Sequence, residues 1–215
     1  MKRLILIIPT LAMTLTLISC DAQSKKKGDV DTKINLTPPV GKAMAAFAEG
    51  CFWCSEHIFE SVVGVDSAVS GYAGGTASNP TYELVNTETT GHAESVLIYY
   101  DPKVINYGEL LKVFFTSQDP TTPDRQGPDR GNSYRSIIFF KTAEEKALAE
   151  KARQDFAPSF KNPIVSEIKP LTAFYKAEGY HQNYIEHNPE NSYVTGVSIP
   201  RFESFKRTYK GKLKP

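Results

Sequence analysis

Cysteine is scarce in this chain, and the positions of its cysteines limit how a fold can be held together. There are three among 215 residues: Cys20 near the N-terminus, and Cys51 and Cys54, which flank Phe52 and Trp53. Two cysteines three positions apart close too small a loop to stabilise a fold much. The fold must therefore depend on a hydrophobic core, and the Cys51–Cys54 pair is better suited to redox chemistry.

Residues 1–19 have the pattern of a secretory signal. Lys2 and Arg3 precede an apolar run over residues 4–18, shorter than the roughly 20 residues of a membrane-spanning helix. The run ends in Leu17-Ile18-Ser19-Cys20, which resembles the bacterial lipoprotein cleavage box, in which the cysteine becomes the lipidated first residue. We therefore predict a lipoprotein signal peptide and a membrane anchor at Cys20, on the extracytoplasmic side of a bacterial cell envelope. An ordinary signal peptide is the alternative.

The rest of the chain divides into a linker and one domain. Residues 20–42 have little apolar content, so we interpret them as the lipidated N-terminus and a flexible tether. Residues 43–215 are long enough for a single domain with a core, expected to be monomeric. The 25 basic and 24 acidic residues nearly balance, which gives no basic face for nucleic acid. Residues 206–214 are locally basic, and we expect a solvated tail there.

Hydrophobic periodicity predicts alternating strands and helices without a regular βαβ rhythm, which is typical of an α+β fold. The predicted strands cover residues 44–48, 65–72, 94–100, 136–140 and 162–168, and the predicted helices cover residues 51–63, 107–117, 142–156 and 180–187. Between them, residues 119–132 form a long polar loop. Loops of that length in a compact domain are more often functional than idle.

The position of Cys51 favours a reactive thiol. It follows Gly50 at the start of a predicted helix, where unpaired N–H groups and the helix dipole favour a thiolate over a thiol of ordinary pKa, about 8.5. Cys54 lies one helical turn later on the same side. Side chains at that spacing have Cβ atoms about 5 to 6 Å apart, whereas a disulfide needs roughly 3.8 Å. A bond between the two therefore requires slight unwinding and would be easy to reduce.

A metal site is the alternative interpretation. Cys51, Cys54 and His57 have a spacing that zinc ligands also use. A fourth ligand would have to come from His92, His181 or His187, none of which is paired with another cysteine. We therefore expect no metal.

Short motifs recur along the domain in a fixed order. They are Gly50-Cys51-Phe52-Trp53, Gly71-Tyr72-Ala73-Gly74-Gly75, Pro80-Thr81-Tyr82, Gly91-His92-Ala93-Glu94, Tyr99-Tyr100-Asp101-Pro102, Asp129-Arg130-Gly131 with Tyr134-Arg135-Ser136, and Tyr180-His181-Gln182. Together they resemble the A-type peptide methionine sulfoxide reductases over about residues 43–189. The resemblance implies a two-layer sandwich, in which helices flank a central mixed β-sheet with a ferredoxin-like core.

The resemblance also implies an activity: thiol-dependent reduction of methionine-S-sulfoxide, free or in oxidised proteins under repair. It needs no cofactor, and an external, thioredoxin-like dithiol regenerates the enzyme. The implied nucleophile is Cys51, with Phe52 and Trp53 walling the pocket for the substrate methyl group. The implied partners of the sulfoxide oxygen are Glu94, Tyr82 and Tyr134, with Asp129 in the same site.

The chemistry of the residues agrees with these roles. A sulfoxide oxygen leaves only when it is protonated, so a thiolate needs an acid that is still protonated near neutral pH. An apolar surrounding would raise the pKa of Glu94 enough, and tyrosine hydroxyls add neutral donors. Attack by Cys51 leaves a sulfenic acid, which a nearby thiol condenses to a disulfide. Cys54 is the one candidate in the domain.

The sequence departs from the family in two places. Many relatives keep resolving cysteines in a C-terminal tail, but no cysteine follows Cys54, so either Cys54 or an external thiol resolves the sulfenic acid. Asn86 stands where many relatives carry a cysteine. Two other functions remain open: a general thiol–disulfide oxidoreductase and a non-enzymatic, metal-binding lipoprotein.

Overall fold

A computed structural model describes residues 32–215 of the chain. Its strands and helices, in chain order, are β1 (Ala43–Glu49), α1 (Phe52–Glu60), β2 (Val65–Ala73), α2 (Tyr82–Val85), β3 (Ala93–Tyr100), α3 (Tyr107–Thr116), β4 (Arg125–Gln126), β5 (Asp129–Arg130), β6 (Ser136–Phe140), α4 (Ala143–Phe156), β7 (Glu167–Pro170), β8 (Phe174–Lys176), α5 (Tyr184–His187) and α6 (Ile199–Thr208). Predictions for residues 1–31, which include the signal peptide and Cys20, lie outside this range.

Six strands form one mixed sheet in the order β7-β6-β1-β3-β2-β8. Neighbouring strands are antiparallel, except that β6 and β7 are parallel. The predicted α+β class with a central mixed sheet is confirmed. β4 and β5 form a separate two-stranded ribbon within the predicted polar loop.

The side-chain alternation of β1 separates two apolar clusters, one on each face of the sheet. Phe47 faces the helical layer, where its ring stacks on Phe59 of α1 at 5.2 Å and lies 5.4 Å from Phe114 of α3. Met44 and Ala46 point to the other face, into a smaller cluster to which no helix of residues 32–215 contributes. The helices therefore cover one face, which gives a two-layer sandwich.

Most predicted elements have bounds close to the observed ones, but two do not. The strand predicted over residues 162–168 begins only at Glu167. The helix predicted over residues 180–187 is broken at Asn183, which has a left-handed φ of 52°. The Gln182 side chain bonds both backbone groups of Ser70, and Asn183 N–H donates to Glu56 Oε2 at 3.1 Å. These long-range hydrogen bonds outweigh the local helical preference.

The last part of the predicted tether packs on the domain. Lys33 bridges to Tyr175, and Ile34 N–H donates to Phe174 O at 2.9 Å, which extends the sheet beyond β8. The side chains of Ile34 and Leu36 pack against the smaller apolar cluster. Residues 32–36 thus lie against the domain, because Ile34 and Leu36 pack on an apolar cluster that composition alone cannot reveal.

The expected basic tail is also wrong as a description of the backbone. Residues up to Thr208 are helical, Phe205 and Tyr209 are buried, and Leu213 bridges back to Val62. The Lys and Arg side chains of residues 206–214 are exposed, as expected. Within residues 32–215, no helix has the length and apolar character needed to cross a membrane.

Candidate active site

Cys51 stands at a sharp junction between β1 and α1. Gly50 turns the chain with a φ of +84°, a conformation that favours glycine. A Cβ at Gly50 would lie 2.4 Å from the Cβ of Gln126, so a larger residue does not fit. Cys51 is the N-cap of α1, with non-helical backbone angles (φ −52°, ψ 120°). Its buried thiol is thereby held at the N-terminal end of that helix.

Glu94 reaches the same point from the middle of the sheet. It is buried near the start of β3, and its Oε2 accepts a 3.0 Å hydrogen bond from Phe52 N–H. Burial raises the pKa of Glu94 to about 8, a rise that the Phe52 hydrogen bond opposes and the charge of Asp129 reinforces. At neutral pH this carboxyl is therefore mostly protonated and is able to donate a proton.

A cavity of about 340 Å³ opens over these two groups. Its lining consists of Cys51, Phe52, Trp53, Tyr82, Glu94, Asp129, Tyr134, Asn191, Ser192 and Tyr193. Every predicted site residue of the domain except Cys54 is in this lining. Cys54 does not line this cavity and instead lines a neighbouring one.

The aromatic wall of the cavity is held rigidly. Trp53 stacks on Tyr184 with ring centroids 3.7 Å apart, and its Nε1–H donates to Nδ1 of His181 at 3.0 Å. Since Nδ1 accepts, His181 carries its proton on Nε2, and burial lowers its pKa, so it stays neutral. The fully buried Phe52 packs against the same imidazole. Two planar surfaces are thus fixed beside the Cys51 sulfur.

The two predicted tyrosines come from separate loops, each fastened by a glutamate. Tyr82 N–H donates to Glu178 Oε1 at 2.9 Å, at the start of the short helix α2. Tyr134 ends a 3₁₀ turn in which the N–H and hydroxyl of Ser133 donate to Glu88 at 3.0 and 2.8 Å. Burial raises the pKa of both phenols, so they remain neutral donors.

Asp129 forms the rim that divides this cavity from its neighbour. Its Oδ2 accepts a hydrogen bond of 2.5 Å from the Tyr193 hydroxyl. Burial raises the pKa of Asp129, while this hydrogen bond and the charge of Arg201 lower it. Tyr193 is thereby fixed opposite Trp53, which it meets edge-on at 5.9 Å.

Hydrogen bonds link several of the sequence motifs to one another in the folded protein. Arg135 donates to Gly91 O at 2.8 Å and to Asn132 O at 2.6 Å, which links the Tyr-Arg-Ser and Gly-His-Ala-Glu segments. His92 accepts from Gly75 N–H at 3.2 Å, which ties in the glycine-rich segment. These residues position the cavity walls without lining them.

Comparisons with known sequences and structures lead to the same family as the sequence motifs, the peptide methionine sulfoxide reductases. The family model described as peptide methionine sulfoxide reductase matches residues 43–213. Peptide methionine sulfoxide reductase MsrA 1 of Rhodopirellula baltica is 47% identical over 174 residues, which cover 81% of this chain and 91% of that protein.

The solved structures agree. Reduced Mxr1 from Saccharomyces cerevisiae superposes with a TM-score of 0.69 at 34% identity, covering 74% of this chain and 92% of that one. Mxr1 in complex with Trx2 superposes with a TM-score of 0.51 at 25% identity, covering 70% and 94%.

The chain belongs to the peptide methionine sulfoxide reductase family. It is accordingly a thiol-dependent oxidoreductase that reduces methionine sulfoxide, and the predicted enzyme class is confirmed.

The two thiols of the reductase differ in charge. Burial, followed by the neighbouring Cys54 and Glu94, raises the pKa of Cys51 well above its ordinary range. The hydrogen bond from Cys51 lowers the pKa of Cys54 to about 6, and Arg201 and Ser198 assist. Burial at Cys51 therefore opposes the stabilisation of a thiolate that the start of α1 was expected to provide, whereas Arg201 and Ser198 favour the charged form of Cys54.

Cys54 of the reductase has its own partners. Its Sγ lies 3.2 Å from Ser198 Oγ, whose hydroxyl donates when Cys54 is ionised. Arg201 is held by Glu49 at 2.9 Å and by Ser117 O at 2.8 Å. Burial raises the pKa of Glu49 to about 7, which the Arg201 charge opposes. A buried cation is thus fixed beside the second thiol.

No set of three or more His, Cys, Asp or Glu residues in the described part of the reductase is arranged to hold a metal ion. His57, the third member of the zinc-like spacing, packs edge-on against Phe202 with ring centroids 4.5 Å apart. His92 and His181 are used in the hydrogen bonds described above. The geometry therefore gives the metal-binding alternative no support.

Five residues of the reductase site were not predicted from the sequence: Asn191, Ser192, Tyr193, Ser198 and Arg201. All lie within residues 191–201, beyond the end of the recognised motifs. Val194–Ser198 is a π-helical turn, an irregularity often found at functional sites, but no sequence pattern indicates it. The position of Arg201 directly after Pro200, at the start of an amphipathic helix, is the one available signal, and it is weak.

Proposed function

We propose that this reductase acts on the S epimer of methionine sulfoxide, free and in oxidised proteins, with Cys51 as nucleophile and Glu94 as acid. The observation that carries the proposal is the shared cavity: a thiol, a carboxylic acid with a raised pKa and a rigid aromatic wall face one space. The S epimer follows from the resemblance to the A-type family. Repair of oxidised proteins follows from that substrate.

The first half of the reaction begins with a proton transfer within the pair. Cys51 gives its proton to the Cys54 thiolate, and the resulting Cys51 thiolate attacks the sulfoxide sulfur. Glu94 protonates the oxygen, which is transferred to Cys51 as both the oxygen–sulfur bond of the sulfoxide and the new bond between Cys51 and the methionine sulfur break. Methionine leaves, and Cys51 becomes a sulfenic acid. Tyr82 and Tyr134 donate hydrogen bonds to the oxygen during this step.

In the second half, Cys54 resolves the sulfenic acid. Cys54 gives its proton to the Glu94 carboxylate left by the first half, directly or through solvent, and the Cys54 thiolate, stabilised by Arg201, attacks Cys51 Sγ. The S–O bond breaks, Glu94 returns that proton so that the oxygen leaves as water, and a Cys51–Cys54 disulfide remains. Cys51 is the N-cap, with non-helical backbone angles, so only Cys54 of the pair lies within α1. The residues supply nucleophile, acid and resolving thiol, so no prosthetic group is required.

The disulfide must be reduced by an outside dithiol. The complex of the yeast relative Mxr1 with Trx2 supports a thioredoxin-like protein as that reductant.

The decisive assay supplies dithiothreitol and racemic N-acetylmethionine sulfoxide to the purified protein and follows both epimers by chiral chromatography. We expect loss of the S epimer alone, and no loss with Cys51→Ser. Consumption of the R epimer, or full activity of Cys51→Ser, contradicts the proposal. Reduction of insulin disulfides without any sulfoxide reduction would instead identify a general thiol–disulfide oxidoreductase.

We also propose that the enzyme is a lipoprotein of the bacterial envelope, anchored through Cys20, and works as a monomer. The signal-like residues 1–19 and the lipoprotein-like box that ends at Cys20 support the anchor. Metabolic labelling with an alkyne fatty acid in a bacterial host tests it: the parent should be labelled and Cys20→Ala should not. Equal labelling of both would exclude lipidation at Cys20.

A further inference from the structure

A second cavity, of about 290 Å³, lies beside the substrate cavity and opens on Cys54. Its lining consists of Cys54, Gln126, Gly127, Pro128, Asp129, Tyr193, Gly196, Val197 and Arg201. The hydrogen-bonded pair of Asp129 and Tyr193 forms the wall common to both cavities. Each cavity thus reaches one cysteine: the substrate cavity reaches Cys51, and this one reaches Cys54.

Thiol–disulfide exchange places a geometric demand on the reductant. The attacking thiolate approaches one sulfur of the disulfide in line with the S–S bond, from the side opposite the leaving sulfur. Because the second cavity is lined by Cys54 and not by Cys51, a thiolate inside it meets Cys54 from the side away from Cys51. The geometry of the second cavity therefore satisfies this demand at Cys54.

The charges of the two cavities distinguish them further. Apart from its thiol and phenols, the ionisable groups that line the substrate cavity are Asp129 and the mostly protonated Glu94, and no cationic side chain is among its lining residues. The second cavity shares Asp129, whose carboxylate is engaged by Tyr193, and adds the guanidinium of Arg201. A thiolate is therefore attracted to the Cys54 side.

We propose that the second cavity is the reductant site, where a thiolate of the external dithiol attacks Cys54 while the substrate cavity serves methionine alone. This inference rests on the proposed function and deepens it. The reductant thiolate forms a bond to Cys54 Sγ, the Cys51–Cys54 bond breaks, and Cys51 leaves as a thiolate at the N-terminus of α1. The second thiol of the reductant then attacks the reductant's own bound sulfur. Cys54 leaves as a thiolate beside Arg201 and Ser198, and the reductant is oxidised to its disulfide.

Gly196 allows the cavity to be filled by substitution. A Cβ at Gly196 meets no atom within 4 Å, and its φ is not in the left-handed region, so a leucine there extends into open space. Gly179 is a matched control, since its Cβ position is equally open and it lines neither cavity.

The test begins with protein whose Cys51–Cys54 disulfide has been formed by diamide, independently of any sulfoxide. Its reduction is followed with dithiothreitol and, separately, with a bacterial thioredoxin. We expect Gly196→Leu to slow reduction by about tenfold or more, because the thiolate loses its in-line position, and Gly179→Leu to match the parent. If Gly196→Leu slows reduction by thioredoxin alone, the second cavity serves a protein dithiol. If it slows reduction by both thioredoxin and dithiothreitol, the cavity accepts any thiolate. Unchanged rates with both overturn the proposal.

A single turnover of each reduced variant with N-acetylmethionine sulfoxide measures the sulfoxide step separately. Absence of methionine in the parent would contradict the proposed function, whereas the diamide experiment would still report on the cavity. An equal loss in both steps for Gly196→Leu would indicate a general defect and overturn the assignment.

The unsubstituted enzyme gives a second, independent measurement. If the two ligands use separate cavities, the product analogue N-acetylmethionine should inhibit non-competitively against dithiothreitol. Competitive inhibition would place both ligands in one cavity and overturn the proposal.

Discussion

Glu94 acquires its chemical role from its surroundings rather than from its own acidity. Central strands bury it, and burial raises its pKa to about 8 although Phe52 N–H donates to it. Cys54 changes in the opposite direction, since its pKa falls to about 6. Between these values the enzyme holds a protonated acid and a thiolate at once, and the two titrations belong to the coupled site as a whole.

The pH profile of the sulfoxide step should therefore be bell-shaped. The rate should rise as pH passes about 6, where the thiol pair loses a proton, and fall as pH passes about 8, where Glu94 loses its own. Glu94→Gln should lower the single-turnover rate by about 10²- to 10⁴-fold and remove the alkaline limb while keeping the acid limb. Rapid-quench measurements of methionine at each pH check both points. An alkaline limb that persists in the variant would assign it to another group.

Cys54 has two proposed tasks, and Cys54→Ser should separate them. One turnover should survive and yield sulfenic acid, whereas repeated turnover with a thioredoxin should stop. Since Cys51 also loses its proton acceptor, its alkylation by iodoacetamide should begin at higher pH than in the parent, near or above the ordinary thiol pKa of about 8.5. Mass spectrometry and alkylation rates report the two effects. Unchanged multiple turnover would remove Cys54 from the resolving step.

The sequence predicted seven of the residues that line the substrate cavity, because they sit in motifs with fixed local geometry. The charge state of Cys51 was not predictable from the sequence. A helix start is visible in the chain, but burial and the approach of Arg201, 150 positions away, are not. Tyr193 and Ser198 escaped prediction for the same reason: tertiary packing, and no local pattern, brings them to the site.

At the level of elements, α6 acts as a brace: it holds the end of β1 in place through the ion pair between Arg201 and Glu49. Arg201 lies in the first turn of α6, and Glu49 is the last residue of β1, immediately before Gly50 and Cys51. Hydrophobic periodicity predicts strands and amphipathic helices, but it does not predict an ion pair between the first strand and the last helix. The break at Asn183 is a second example, because distant hydrogen bonds decide it.

Removing this brace should destabilise the protein. Arg201→Leu leaves Glu49 buried without its partner, and we expect a loss of about 3 kcal/mol, the low end for such pairs because Glu49 readily takes up a proton. Glu49→Leu combined with Arg201→Leu should recover part of this loss. Urea unfolding gives the free energies. Arg207→Leu, at an exposed position of the same helix, is the control and should change stability by less than about 0.5 kcal/mol. Equal effects at the two arginines would argue against the brace.

At the scale of the whole molecule, both described ends of the chain fold back on the sheet sandwich. Residues 32–36 extend the sheet beyond β8, while Leu213 bridges to Val62 near the end of α1. The smaller apolar cluster receives no helix of residues 32–215, so Ile34 and Leu36 supply part of its cover. The domain therefore includes residues that composition alone would assign to a linker.

This cover should contribute measurable stability. Ile34→Asn combined with Leu36→Asn should lower the free energy of unfolding by about 2 kcal/mol, since both side chains are partly buried and full burial of each is worth about 1.5 to 3 kcal/mol. Val40→Asn is the control, because Val40 is fully exposed, and should have little effect. Thermal unfolding followed by circular dichroism compares the three proteins. A double variant as stable as the control would show that the segment is not part of the folded unit.

The rigid aromatic wall has a practical consequence. Trp53 is the one tryptophan of the chain, and it lies between the two cysteines in sequence and in the wall of the substrate cavity, stacked on Tyr184 and bonded to His181. Its emission spectrum therefore reports on a single place in the molecule. Oxidation of the thiol pair, arrival of a sulfoxide and departure of methionine each alter the immediate environment of that indole. Intrinsic fluorescence should thus follow the catalytic cycle in real time without an added label.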